Sequence, residues 1–117
     1  MKPEKRDRAY FWDMREFARD SRKFVQTISF ARLERDLMRR LALERALELL
    51  GEAARRVSEA AKGEHPRIDW RALIGQRNVL AHDYGEIDHR LLYDNARQKI
   101  PLLLAELDRI LGEPWHD

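Results

Sequence analysis

Apolar residues recur along this chain at helical intervals. Tyr10, Met14, Phe17, Ser21, Phe24 and Ile28 stand at alternating steps of four and three, one stripe that is apolar except at Ser21. Phe11, Ala18 and Val25 widen it. The pattern predicts a first helix from about Asp7 to Ser29, with its stripe turned to a core or to a partner. A second predicted helix runs from about Arg32 to Lys62. Leu33, Leu37 and Leu41 open its apolar face, and Leu43, Leu47, Leu50, Ala54, Val57 and Ala61 continue on a neighbouring one. Gly51 lies inside this pattern, where glycine costs about 1 kcal/mol relative to alanine, and is the candidate for a close helix–helix contact. Gly63 stops the helix and Pro66 marks a loop. A third helix opens at Asp69, a good N-cap, and turns Trp70, Leu73, Ile74 and Leu80 inward. It ends near His82 or Asp83, because Gly85 follows. Asp88 caps a fourth helix that runs towards Leu111. Pro101 either kinks it or opens a new helix at its first position. Leu102, Leu103, Leu104, Leu107, Ile110 and Leu111 supply the last apolar surface. The predicted fold is all-α, an up-and-down bundle of four to five helices with short loops.

Composition narrows the classes of function. A chain of 117 residues fits one domain, 1–117, with one modest core. The charged fraction of 38% with 5 Gly and 4 Pro suits amphipathic helices. Without cysteine there are no disulfides, thiolate metal sites or cysteine nucleophiles. Met1 to Arg8 is polar and no apolar core follows it, so a secretory signal is not expected. No run approaches the ~18 apolar residues of a membrane span, and the expected place is the cytoplasm. A net charge of +2 permits contact with phosphates without demonstrating it.

The chemistry concentrates between Trp70 and Asp88. On a helix at ~100° per residue, Arg77 and Tyr84 project almost together, and Asn78 and His82 share a face. Ala81 lies between the two rows and leaves space. This set suits RNA cleavage without a metal, because RNA carries its own nucleophile, the 2′-hydroxyl. Histidine's ordinary pKa of ~6.5 makes His82 the natural proton carrier. The planar fork of Arg77 can hold two phosphate oxygens and oppose charge growing in the transition state. Asn78 can orient the imidazole or the sugar, and Tyr84 can donate to a phosphate or stack on a base. Spacing alone leaves the blander reading open, in which such side chains cap a helix end and make surface pairs.

The octamer Arg77-Asn78-Val79-Leu80-Ala81-His82-Asp83-Tyr84 resembles the R-x4-H-x-Y signature of HepT-like HEPN toxins. Leu49-Leu50-Gly51-Glu52-Ala53 resembles the family's hydrophobic-Gly-Glu-Ala step, and Pro66-Arg67-Ile68-Asp69-Trp70 its Pro-x-Ile-x-Trp entry to the motif helix. Ile87-Asp88 and Ile100-Pro101-Leu102-Leu103 follow in the family's order. Tyr93 stands where many relatives have Trp, a packing difference. Asp13 matches an acidic position of the first helix, with no role carried over.

The resemblance implies a helical homodimer that places two motifs in one cleft. It implies a metal-independent endoribonuclease toxin of a type II/VII-like toxin–antitoxin pair, with RNA as substrate and no cofactor. It also implies a minimal nucleotidyltransferase antitoxin that attaches AMP to the motif tyrosine, here Tyr84. Bulk and phosphate charge there would repel RNA from Arg77. The alternative is a non-catalytic HEPN dimer that only binds a nucleotidyltransferase partner or a nucleotide.

Other features read more plainly. Glu44, Glu48 and Glu52 form an acidic row that is most simply a solvated face, with Arg55 and Arg56 placed to pair with Glu52 and with Glu48 the candidate cleft acid. Arg32, Arg35, Arg39 and Arg40 can track an RNA backbone, although Glu34 and Asp36 dilute them. His82-Asp83 and Asp88-His89 invite a metal, but Gly85 separates the pairs and no H-E-x-x-H spacing exists, so no metal is expected. His65 and His116 read as exposed, and Trp12 and Trp115 as packing residues.

Overall fold

A computed structural model of the chain describes residues 3–82, 85 and 87–112. Among them are seven helices: α1 (Pro3–Lys23), α2 (Phe30–Glu34), α3 (Leu37–Arg56), α4 (Glu59–Glu64), α5 (Trp70–His82), α6 (His89–Gln98) and α7 (Ile100–Leu111). Trp115 and His116 lie outside the described residues.

Short polar side chains cut the predicted long helices into pieces. The first helix ends at Lys23, and Ser29 starts a new one by accepting a hydrogen bond from the Arg32 N–H at 3.1 Å. Asp36 accepts from the Arg39 N–H at 3.0 Å and opens α3. Ser58 accepts from the Ala61 N–H at 3.1 Å and opens α4. Each side chain offers the backbone a partner that a continuing helix would not, so the predicted helix over 32–62 is three helices. The break at Arg35–Asp36 also separates the expected apolar face. Leu33 on α2 is buried, whereas Leu37 and Leu41 on α3 are 58% and 53% exposed. Pro101 sits in the first turn of α7, one position after the helix opens at Ile100. Asp69 and Asp88 cap as expected, accepting from the N–H groups of Ala72 and Leu91 at 3.1 Å each.

These pieces still make four antiparallel passes. Asp7, near the start of α1, accepts hydrogen bonds from the N–H and hydroxyl of Ser58, just past the end of α3, at 2.9 and 2.7 Å. At the other end, Arg39 donates to the carbonyl of Phe24 at 3.1 Å. Arg8 donates to the carbonyl of Leu111 at 3.0 Å, so α7 runs against α1 as well. Arg77 of α5 meets Glu52, and His89, which opens α6 just beyond α5, meets Glu44, so the chain runs back along α3 from α5 into α6. The expected up-and-down bundle is therefore present, with two of its four passes broken into shorter helices.

The core lies along α3, which packs on α1 and on α5. Met14, Ala18, Leu43, Leu47, Leu50, Ala54 and Leu107 are buried together. Arg15 is buried too, and its charge is met by Asp108 at 3.0 Å, since a buried charge without a partner is strongly destabilising. Trp12, read from the sequence as a packing residue, is instead 39% exposed, its ring lying 4.5 Å from the Arg15 guanidinium. Tyr93 packs as expected, donating its hydroxyl to the carbonyl of Ile28 at 2.6 Å. His65 is half-buried rather than exposed, edge-on to Phe11 with ring centroids 5.4 Å apart. No described helix is long and apolar enough to cross a membrane.

Candidate active site

α5 carries the motif, and its position is set before the motif begins. Ile68 is buried just upstream. The Trp70 indole donates to the carbonyl of His65 at 3.0 Å and stacks edge-on to Phe11, with centroids 6.0 Å apart. Leu80, further along α5, is buried as well. Between these anchors α5 crosses Gly51. A Cβ built there would lie 2.3 Å from the Arg77 Cβ and 2.6 Å from the Leu73 carbonyl oxygen. Only the missing side chain lets the two backbones come this close. The glycine singled out from its place in a helical pattern is thus a close helix–helix contact, and the residue opposite it is Arg77.

Arg77 is half-buried and held from two sides. Its Nε lies 3.0 Å from Glu52 Oε2, a charge contact in which the N–H is not aligned for a hydrogen bond. Its Nη1 donates to Asn78 Oδ1 at 2.9 Å. Nη2 has no hydrogen-bond partner among the described residues. Glu52 in turn accepts from Arg55 Nη2 at 2.8 Å and Nε at 3.2 Å, and from Arg56 Nε at 3.0 Å. The hydrogen bonds of Arg55 do most to draw the Glu52 carboxyl down to about 2. Those of Arg56 and the positive charge of Arg77 add to them, against a desolvation that pushes the other way. Glu52 is therefore a fixed anion beneath Arg77.

The remaining predicted residues are placed as follows. Asn78 and His82 are both exposed and share an outer face of α5. The amide oxygen of Asn78 is taken by Arg77, and His82 makes no hydrogen bond to any described residue. Asn78 thus links to the guanidinium rather than to the imidazole. Tyr84 and Asp83 lie outside the described residues. Glu48 pairs with Arg45 at 3.4 Å. The acid that reaches the motif is its neighbour one turn on, Glu52. Its pairing with Arg55 and Arg56 was legible from spacing. Its reach to Arg77 on another helix was not, and the only hint was that it follows the glycine.

The surrounding charges are largely engaged. His89 Nε2 lies 2.8 Å from Glu44 Oε2, and Asp88 caps α6. Among the described residues no group of three or more His, Asp and Glu side chains is gathered as metal ligands would be. Arg39 bonds to Asp36 and to the Phe24 carbonyl, and Arg40 to the Glu34 carbonyl. Arg32 and Arg35 stay exposed.

Comparison with known proteins bears on the same residues. A family model described as Ribonuclease HepT-like matches residues 14–110, from the middle of α1 to the last turn of α7. The chain is 33% identical over 105 residues to "Putative RNase MJ1380" of Methanocaldococcus jannaschii, covering 89% of this chain and 96% of that protein. It is 31% identical over 101 residues to "Probable ribonuclease HepT" of Thermococcus cleftensis, covering 86% and 92%. To "Putative RNase TTE0752" of Caldanaerobacter subterraneus it is 29% identical over 87 residues, covering 74% and 78%. No solved structure gives a significant match. With its all-helical bundle and its Arg77–His82 motif, the chain belongs to the HepT-like ribonucleases of the HEPN superfamily.

Proposed function

We propose that this ribonuclease is a metal-independent endonuclease whose motif side chains cut RNA through the substrate's own 2′-hydroxyl. The observation that carries the reading is Arg77: a guanidinium held at Nε and Nη1, with no hydrogen-bond partner for Nη2 among the described residues, next to the exposed face that bears His82. A phosphate oxygen is the natural partner of such a group. In the reaction the 2′-oxygen attacks phosphorus and gives its proton to His82. The bond from phosphorus to the 5′-oxygen breaks, and that oxygen takes up a proton as it leaves. Arg77 opposes the extra charge on the phosphorane oxygens. Asn78, already bonded to Arg77, orients it. Tyr84 contacts RNA and is the point at which a nucleotidyltransferase antitoxin attaches AMP, a role that rests on the motif resemblance alone.

Two-fold pairing belongs to the same reading. One chain offers one motif imidazole, and a second copy brings another to donate the proton the leaving oxygen needs. Leu37, Met38 and Leu41 on α3, at 58%, 82% and 53% exposure, and Leu91 on α6 form apolar surface of the kind a partner covers. The proposed setting is a cytoplasmic toxin–antitoxin pair. The rival reading, a dimer that only binds its nucleotidyltransferase or a nucleotide, draws on the lack of an orienting partner for His82 among the described residues.

One experiment separates them. The purified chain is incubated with bulk tRNA in excess EDTA, alongside the His82→Ala and Arg77→Ala variants. Discrete fragments from the wild type alone, with helicity equal in all three by circular dichroism, are expected. Cleavage retained in either folded variant would sink the assignment of that residue. No cleavage by a wild type whose mass shows no AMP favours the binding module.

A further inference from the structure

The geometry points to Glu52 as the positioning residue for Arg77, acting across the α3–α5 contact that Gly51 makes possible. Three observations converge on it. The carboxylate reaches the Arg77 Nε at 3.0 Å from a different helix, so the contact depends on the tertiary fold and on no local spacing. Arg55 and Arg56 hold the same carboxylate from its own helix, which ties it to α3 independently of Arg77. The close helix approach is possible because Gly51 has no Cβ, since one built there would lie 2.3 Å from the Arg77 Cβ. Base, stem and head of Arg77 are thus each constrained, and Nη2 keeps no hydrogen-bond partner among the described residues.

This inference rests on the ribonuclease reading above and adds a residue to it. Glu52 touches neither RNA nor the reacting atoms. It acts by holding the guanidinium where the phosphorane forms. An arginine that must first be ordered stabilises the transition state less than one ordered in advance. Binding of the RNA chain as a whole draws on many phosphate contacts and depends little on this one orientation. The signature of Glu52 is therefore a loss in kcat with KM almost unchanged.

The test uses the full chain and its Glu52→Gln variant, which keeps shape and one acceptor but removes the charge. Two quantities are read. Initial rates against bulk tRNA concentration in EDTA give kcat and KM. Relaxation of the Arg77 side-chain 15Nε, identified by its loss in Arg77→Lys, gives the order of the guanidinium without any need for activity. The expected result is a roughly 10- to 100-fold fall in kcat, KM within about twofold, and an Arg77 Nε that becomes mobile. An unchanged kcat, or an Arg77 Nε equally ordered in Glu52→Gln, overturns the proposal. A wild type that cuts nothing, but whose Arg77 order still depends on Glu52, sustains the pin and overturns the ribonuclease reading instead.

Discussion

Glu52 carries a charge that the fold holds in place, and its titration reaches the stability of the whole chain. Its carboxyl falls from an ordinary 4.5 to about 2 on folding, because hydrogen bonds from Arg55 and Arg56 and the charge of Arg77 favour the anion. A group whose folded pKa is depressed adds stability that is full above its unfolded value and is lost as pH falls towards the folded one. Urea denaturation between pH 6 and 2 should show the wild type more stable than Glu52→Gln at the upper end. The gap should narrow from about pH 4.5 and close near pH 2; a gap independent of pH would contradict the pairing. Gly51 makes an equally sharp prediction. Gly51→Ala gains about 1 kcal/mol in helix propensity, but its Cβ meets the Arg77 Cβ and a backbone oxygen, neither of which can swing aside. Overpacking of about 1–3 kcal/mol should win, giving a net loss of up to about 2 kcal/mol in the same assay and a displaced Arg77 with reduced cleavage. The glycine was visible in the sequence as an anomaly in a helical pattern. That it faces Arg77 was not, because nothing local relates positions 51 and 77.

At the scale of elements, Ser29, Asp36 and Ser58 decide where helices begin. All three residues are N-cap residues by their chemistry, and each starts a helix. The apolar period runs on across these breaks, which is why hydrophobic pattern alone merges α2, α3 and α4 into one. Their weights should differ. Ser58 caps α4 and also donates its hydroxyl and N–H to Asp7, so Ser58→Ala removes the α4 cap and the hydroxyl's bond to Asp7 together, leaving the N–H bond in place. A loss of about 1–2 kcal/mol is expected in urea denaturation. Ser29 makes a single exposed cap bond, and Ser29→Ala should lose no more than about half as much. Equal losses would mean that the Asp7 clasp contributes nothing.

The whole molecule places apolar surface where one chain does not use it. The break at Asp36 leaves Leu37, Met38 and Leu41 pointing outward from α3, away from the core that Leu43, Leu47 and Leu50 enter. If a second copy covers this surface, charging it separates the copies without unfolding them. The double variant Met38→Glu, Leu41→Glu should sediment as a monomer, keep its helicity and lose cleavage. A variant that stays dimeric would move the interface elsewhere on the bundle. By itself, the sequence determined the all-helical class, the four antiparallel passes, the caps at Asp69 and Asp88 and the motif on α5. Each of these follows from periodicity, capping chemistry or ordered short motifs, all of which act over a few residues. Only the tertiary structure decided which carboxylate meets Arg77, that Asn78 bonds the guanidinium rather than the imidazole, and which leucines of the second pass face outward. Those outcomes depend on how closely two helices approach and how each is rotated about its axis. Packing of the whole bundle sets both.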